Sequence, residues 1–158
     1  MCYIKNLRKK YGDDWLILNA TAVVITNEKN EVLLQKRSDS RLWGLPGGLL
    51  ELDESIEQCA IREVKEETNL DIKIEKFLGV FTNPFMRWKT KDYAKVIVFA
   101  LTAKMIDSEL KVNDSESLEL KYFQYETLPV LHSIDTIEII DAYYHNIYNR
   151  LEGKKYDG

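Results

Sequence analysis

Between residues 48 and 70 the chain reads GLLELDESIEQCAIREVKEETNL, and this stretch constrains the fold more than any other. Ser55, followed three residues later by Gln58, forms a capping box, so a helix is expected from Ile56 to Thr68. Asn69 should stop it, because asparagine is second only to glycine in tolerating the left-handed conformation at a helix C-terminus. At about 100° per residue, Glu63, Glu66 and Glu67 fall within an arc of roughly 100°, while Ile56, Ala60 and Val64 take the neighbouring face. Such a helix lies half buried, with its carboxylates along one edge. Crowded anions repel one another unless cations neutralise them, and hard oxygen ligands suit magnesium or manganese. Glu63, Glu66 and Glu67 are therefore the expected metal ligands.

The helix is part of a longer pattern. Gly48, Glu54, Arg62, Glu63, Glu66 and Glu67 stand at fixed offsets, and at roughly 6 to 7% usage each the chance match is about one in 100,000 for a chain of this length. A solvated helix face with modest ion pairs would explain EVKEET alone, but not the register of Gly48, Glu54 and Arg62 with it. The pattern resembles the signature of the Nudix hydrolase superfamily, which cleaves nucleoside diphosphates linked to another moiety. Asn69 replaces the glycine with which that signature ends its helix, a change expected to cost a little stability and no chemistry.

The resemblance implies an α/β/α sandwich around a mixed β-sheet, with the motif as loop-helix-loop. It adds the backbone carbonyl of Gly47 to the metal ligands and makes Arg62 and Glu54 an orienting pair that fixes the helix and loop. It also implies hydrolysis of a pyrophosphate bond by metal-activated water, with Mg2+ or Mn2+ as cofactor and a small nucleotide as substrate. Pro84, fifteen residues after Asn69, has a spacing that resembles members acting on ADP-ribose, so ADP-ribose or a similar nucleoside diphosphate sugar is the favoured substrate. A nucleoside triphosphate, including an oxidised one, is the alternative. A non-catalytic nucleotide sensor is less favoured because the motif glutamates are intact, and Cys59 inside the helix is badly placed for the cysteine chemistry of an isoprenoid diphosphate isomerase.

Further candidates lie outside the motif. Arg37 ends an apolar run just before the loop RLWGLPGG and is a candidate for substrate phosphate, with a plain surface arginine as the competing reading. Glu116, in DSESLELKYF, is a candidate catalytic or metal-binding glutamate against an ordinary loop carboxylate, and Glu119 reads as structural. Phe85, Trp88 and Tyr93 could stack on a base or merely pack a loop. His132 and His145 lack ligand spacing, and neither is a catalytic candidate.

Apolar runs at 16–26, 31–37, 72–81, 94–104 and 118–124 read as strands, and helices are expected over 3–10 and 133–150. Mixed strands with helices indicate an α+β or mixed α/β class. The aromatic stripe of the last helix suits a core or a homodimer contact. With 158 residues, 45% hydrophobic and 30% charged, one domain over residues 1–158 is expected, with 1–14 as an N-terminal extension. A net charge of −4 offers no general attraction for nucleic acid, and no apolar run is long enough for a membrane span. Two cysteines make no disulfide framework, which fits a cytoplasmic address.

Overall fold

The computed structural model describes residues 2–82, 86–88 and 92–151. In chain order the elements are α1 (Tyr3–Tyr11), β1 (Leu16–Ile25), β2 (Val32–Arg37), β3 (Trp43–Gly44), α2 (Ile56–Thr68), β4 (Ile72–Thr82), β5 (Met86–Trp88), β6 (Asp92–Met105), β7 (Ser117–Phe123), a 3-10 turn (Tyr125–Thr127) and α3 (Ile134–Tyr144). β6 is the spine of the larger sheet. β1 runs parallel to it from Leu16 beside Ala94 to Ile25 beside Ala103, and β4 and then β5 run antiparallel along its other edge. A smaller antiparallel sheet has the order β3-β2-β7.

β1 is apolar almost throughout because both of its faces are covered. Val23 and Ile25 pack with Leu33 and with Ala60, Val64 and Leu70 of the α2 region, while Leu18, Ala20, Ala22 and Val24 pack with Val96, Val98 and the α3 residues Ile139 and Ile140. Strand side chains alternate between faces, so α2 lies on one side of the sheet and α3 on the other, as an α/β/α sandwich requires. α1 buries no residue, but Ile4 and Leu7 rest against the α3-side core. No helix among the described residues is long and apolar enough to cross a membrane.

α2 has the expected bounds. Ser55 Oγ accepts from the Gln58 N–H, the Gln58 side chain accepts from the Ser55 N–H, and Asn69 takes the left-handed conformation at φ 63°. The last helix is shorter than the apolar period suggests: α3 stops at Tyr144 instead of Arg150. Asn146 and Asn149 both adopt φ 55°, which asparagine tolerates and a helix cannot continue through. Arg150 then turns back to β4, where its N–H donates to Leu78 O at 3.1 Å and its carbonyl accepts from Val80 at 2.7 Å. Hydrogen bonding to a sheet edge outweighs two further turns of helix. The aromatic stripe is intramolecular packing, with Tyr144 stacked on Tyr125 at 4.6 Å and its hydroxyl donating to Asn30 O at 2.6 Å.

Candidate active site

The loop before α2 is pinned to β1. The N–H groups of Val23 and Thr21 donate to the carbonyls of Pro46 and Gly48, each at 2.8 Å. That alternation turns the polar groups of the intervening Gly47 away from β1, and the Gly47 N–H donates to Glu67 Oε2 at 2.9 Å. Gly47 has φ 150°, and a Cβ there would collide with the Thr21 carbonyl; a Cβ on Gly48 would stand 2.5 Å from Glu63 Oε1. At Gly47 only glycine lets the backbone come this close to β1, while at Gly48 it leaves room for the Glu63 carboxylate as it stands.

Arg62 and Glu54 form the expected pair. Nε and Nη2 of Arg62 donate to the two Glu54 oxygens at 2.8 and 2.6 Å, a bidentate contact that pulls the Glu54 carboxyl down to about 2. Glu54 also accepts from the Glu51 N–H at 2.9 Å. Arg62 reaches on to Glu63 at 2.9 Å, Glu66 at 3.2 Å and the Leu49 carbonyl at 3.3 Å. One guanidinium thus joins the loop to the acidic edge of α2.

Glu67 is 3% exposed. Burial pushes its carboxyl up to about 8, against the hydrogen bonds from Gly47 and Gln35, and the charges of Glu63 and Asp114 add to the rise. Glu63 is raised for the same leading reason, burial. Glu66 is more open, with 55% of its side chain exposed. Without a cation this edge is short of positive charge, since Arg62 touches Glu63 and Glu66 but not Glu67.

Glu116 arrives from the loop before β7. A register shift in the β2–β7 pairing at Lys36/Arg37 lets the Ser38 N–H bond the Glu116 carbonyl at 2.8 Å. Carboxylate oxygens of Glu67, Asp114 and Glu116 lie within 4.8 Å of one another. Asp114 was not among the sequence candidates; its Oδ1 accepts from the N–H groups of Glu116 and Ser117 at 3.0 and 3.2 Å, which shapes the loop. The signal for it was the D-x-E spacing in DSES. Gln35 was also missed: it is buried in β2, accepts from the Ser117 hydroxyl and supports Glu67.

These groups line one cleft of about 1260 Å³ that includes Glu63, Glu66, Glu67, Asp114 and Glu116, with Arg37 in its wall. Arg37 is held by Asp39, Nε and Nη2 donating to its two oxygens at 3.0 and 2.8 Å. That guanidinium keeps the Asp39 carboxyl well below the usual range. Cys59 is fully buried in α2: burial raises its thiol to about 12, and it donates to the carbonyls of Gly48 and Leu49 at 3.7 and 3.6 Å. Pro84, Phe85 and the Trp88 side chain lie outside the described residues. Tyr93 packs its ring on Trp15 at 5.0 Å. The donor set, the hard carboxylates of Glu67, Asp114 and Glu116 around a buried acid with too little counter-charge, fits a divalent cation such as magnesium or manganese.

A comparison with known proteins accords with this geometry. The NUDIX domain family model matches residues 17–143, and the chain belongs to the Nudix family. It is a member of the Nudix hydrolases, with their fold. An ADP-ribose pyrophosphatase of Methanocaldococcus jannaschii is 36% identical over 122 residues, 75% of this chain and 69% of the relative. A Bacillus subtilis protein provisionally named an 8-oxo-dGTP diphosphatase is 32% identical over 108 residues, 68% of this chain and 67% of the relative. Among solved structures, a UDP-X diphosphatase has a TM-score of 0.71 at 23% identity, covering 94% of this chain and 73% of that one.

Proposed function

We propose that the cleft hydrolyses the pyrophosphate bond of a nucleoside diphosphate derivative, with ADP-ribose or a similar nucleoside diphosphate sugar as substrate. The observation that carries this reading is the convergence of Glu67, Asp114 and Glu116 on one small space beside Glu63 and Glu66. The name of the archaeal relative supports the choice of substrate.

Glu63, Glu66, Glu67 and the Gly47 carbonyl would hold Mg2+ or Mn2+, with Asp114 beside them. When bound, the cation screens the diphosphate charge and supplies a water of lowered pKa. Glu116, more exposed than Glu67 and close to it, takes the proton of the attacking water. Arg62 and Glu54 act through position, holding the loop and α2 in register. Arg37 exchanges Asp39 for a substrate phosphate, since a guanidinium fork fits either partner. A nucleoside triphosphate, including an oxidised one, is the second reading, and the Bacillus relative supports it.

The test is a panel of nucleoside diphosphate sugars and nucleoside triphosphates with magnesium, the products separated by chromatography. Release of AMP and ribose 5-phosphate from ADP-ribose, abolished by a chelator and by Glu67→Gln, is the expected result. Turnover indifferent to both changes would contradict the reading.

A further inference from the structure

α1 lies outside residues 17–143, the stretch that the family model matches, yet it forms part of the wall of the cleft. Ile4 and Lys5 line that space together with Glu51, Glu54 and Arg62 of the motif. A helix of 9 residues with none of them buried is marginal by itself, so contacts with the rest of the chain must hold it in place. On one side Ile4 and Leu7 pack against the α3-side core. Towards the C-terminal end Arg8 donates to the carbonyls of Gly12 and Asp14 at 3.1 and 2.8 Å, and to that of Tyr93 in β6 at 2.9 Å.

The N-terminal end is tied to the motif itself. Cys2 provides no side-chain cap and the first turn of α1 holds no acid. Glu51 fills that gap from the loop before α2, its Oε2 accepting from the Tyr3 N–H at 2.7 Å. A carboxylate in this place also meets the positive end of the helix dipole. The docking of α1 thus sets Lys5 beside the acidic edge that the rest of the site is built on.

Among the described residues the cleft is lined by three cations, Lys5, Arg37 and Arg62. Two are already engaged: Arg62 by Glu54, Glu63 and Glu66, and Arg37 by Asp39. Lys5 forms no hydrogen bond or ion pair with a described residue. The other lysines of the helix stand elsewhere, Lys10 over the Tyr11 ring at 5.1 Å and Lys9 exposed and away from the cleft lining.

We propose that Lys5 binds a phosphate of the substrate's diphosphate, which makes α1 a substrate-binding element that this chain adds to the family domain. The inference rests on the function proposed above and deepens it with a residue outside the signature. A diphosphate entering a carboxylate-lined cleft needs positive charge beyond the bound cation, and an ammonium with no partner to give up supplies it at least cost. Its three N–H donors on a flexible stem can follow the phosphate as a point charge, whereas Arg37 must first leave Asp39.

The experiment measures binding of inorganic pyrophosphate with magnesium by titration calorimetry to the full chain and to Lys5→Ala, Lys5→Arg and Lys9→Ala. Lys9 is the control, because its loss removes the same charge from the same helix outside the cleft. Pyrophosphate should bind about tenfold more weakly to Lys5→Ala, as expected for one lost charge-assisted hydrogen bond, and within about twofold of the unaltered chain to the other two. Alanine and arginine are good helix formers at exposed positions, so the variants keep the fold. Equal binding by Lys5→Ala and the unaltered chain, an equal loss in Lys9→Ala, or no binding by any of the four would overturn the assignment. A Lys5-dependent pyrophosphate site in a chain inactive on the whole substrate panel would remove the proposed reaction alone. Turnover of a nucleoside diphosphate sugar, with pyrophosphate bound alike by all four chains, would remove the role of Lys5 alone.

Discussion

α2 and α3 cover opposite faces of the same sheet, and each buries a carboxylate at its inner edge, Glu67 at 3% exposure and Asp135 at 4%. Their surroundings differ. Glu67 accepts from the Gly47 N–H, has Gln35 beside it and shares its space with Asp114 and Glu116. The Asp135 Oδ2 has no such donor among the described residues, and the neighbouring acid, Glu138, is paired with Arg150 at 3.4 Å. A buried acid among acids that converge on one space is arranged for a cation, whereas Asp135 lies beside an acid already paired with Arg150. Two carboxylates at the same depth therefore stand in different electrostatic settings, and their neighbours make the difference.

The contrast can be broken most directly at Glu67. Glu67→Gln keeps size and burial but removes the charge, and should lower kcat by about 10²- to 10³-fold with the thermal midpoint unchanged or raised. Steady-state assays beside a melting curve check both halves. Gly47→Ala comes next, since the added Cβ would meet the Thr21 backbone and must displace the loop from β1, at a φ of 150° that other residues rarely adopt. A loss of about 2 to 4 kcal/mol in denaturant unfolding is expected, with activity falling alongside.

Arg62→Lys should reduce kcat about 10- to 100-fold, because a point charge cannot keep both oxygens of Glu54 and reach Glu63 and Glu66 together. The same pair sets an acid limit. Glu54 falls from 4.5 to about 2 in the folded chain, so its contribution to stability is complete above pH 4.5 and is lost as the pH drops toward 2. Unfolding curves between those values should flatten in Glu54→Gln. The smallest effect concerns the thiols: buried Cys59 should resist alkylation at pH 8 while exposed Cys2 reacts, giving one modified thiol per chain by mass spectrometry.

Much of α2 was legible because its signals are local. The capping box at Ser55, the left-handed Asn69 and the acidic edge all act within one helix, and the structure keeps each. α3 was overread because its apolar period runs on through Ile147, while the bonds between Arg150 and β4 that stop it are long-range. Asp114 and Gln35 join the site only through the irregular pairing of β2 with β7, which no spacing in the chain announces. Asp135 could not be singled out at all. An aspartate two residues after a serine cap is ordinary in sequence, and only the packing of α3 over β1 and β6 buries it beside the cleft.

Binding of Mn2+ to the intact chain and to Glu67→Gln, followed by titration calorimetry or by the free-ion paramagnetic signal, tests the role of the acidic edge apart from any substrate. The account predicts that the chain takes up manganese and that the variant binds it at least tenfold more weakly while remaining folded. Equal binding by the two, or none by either, would contradict it.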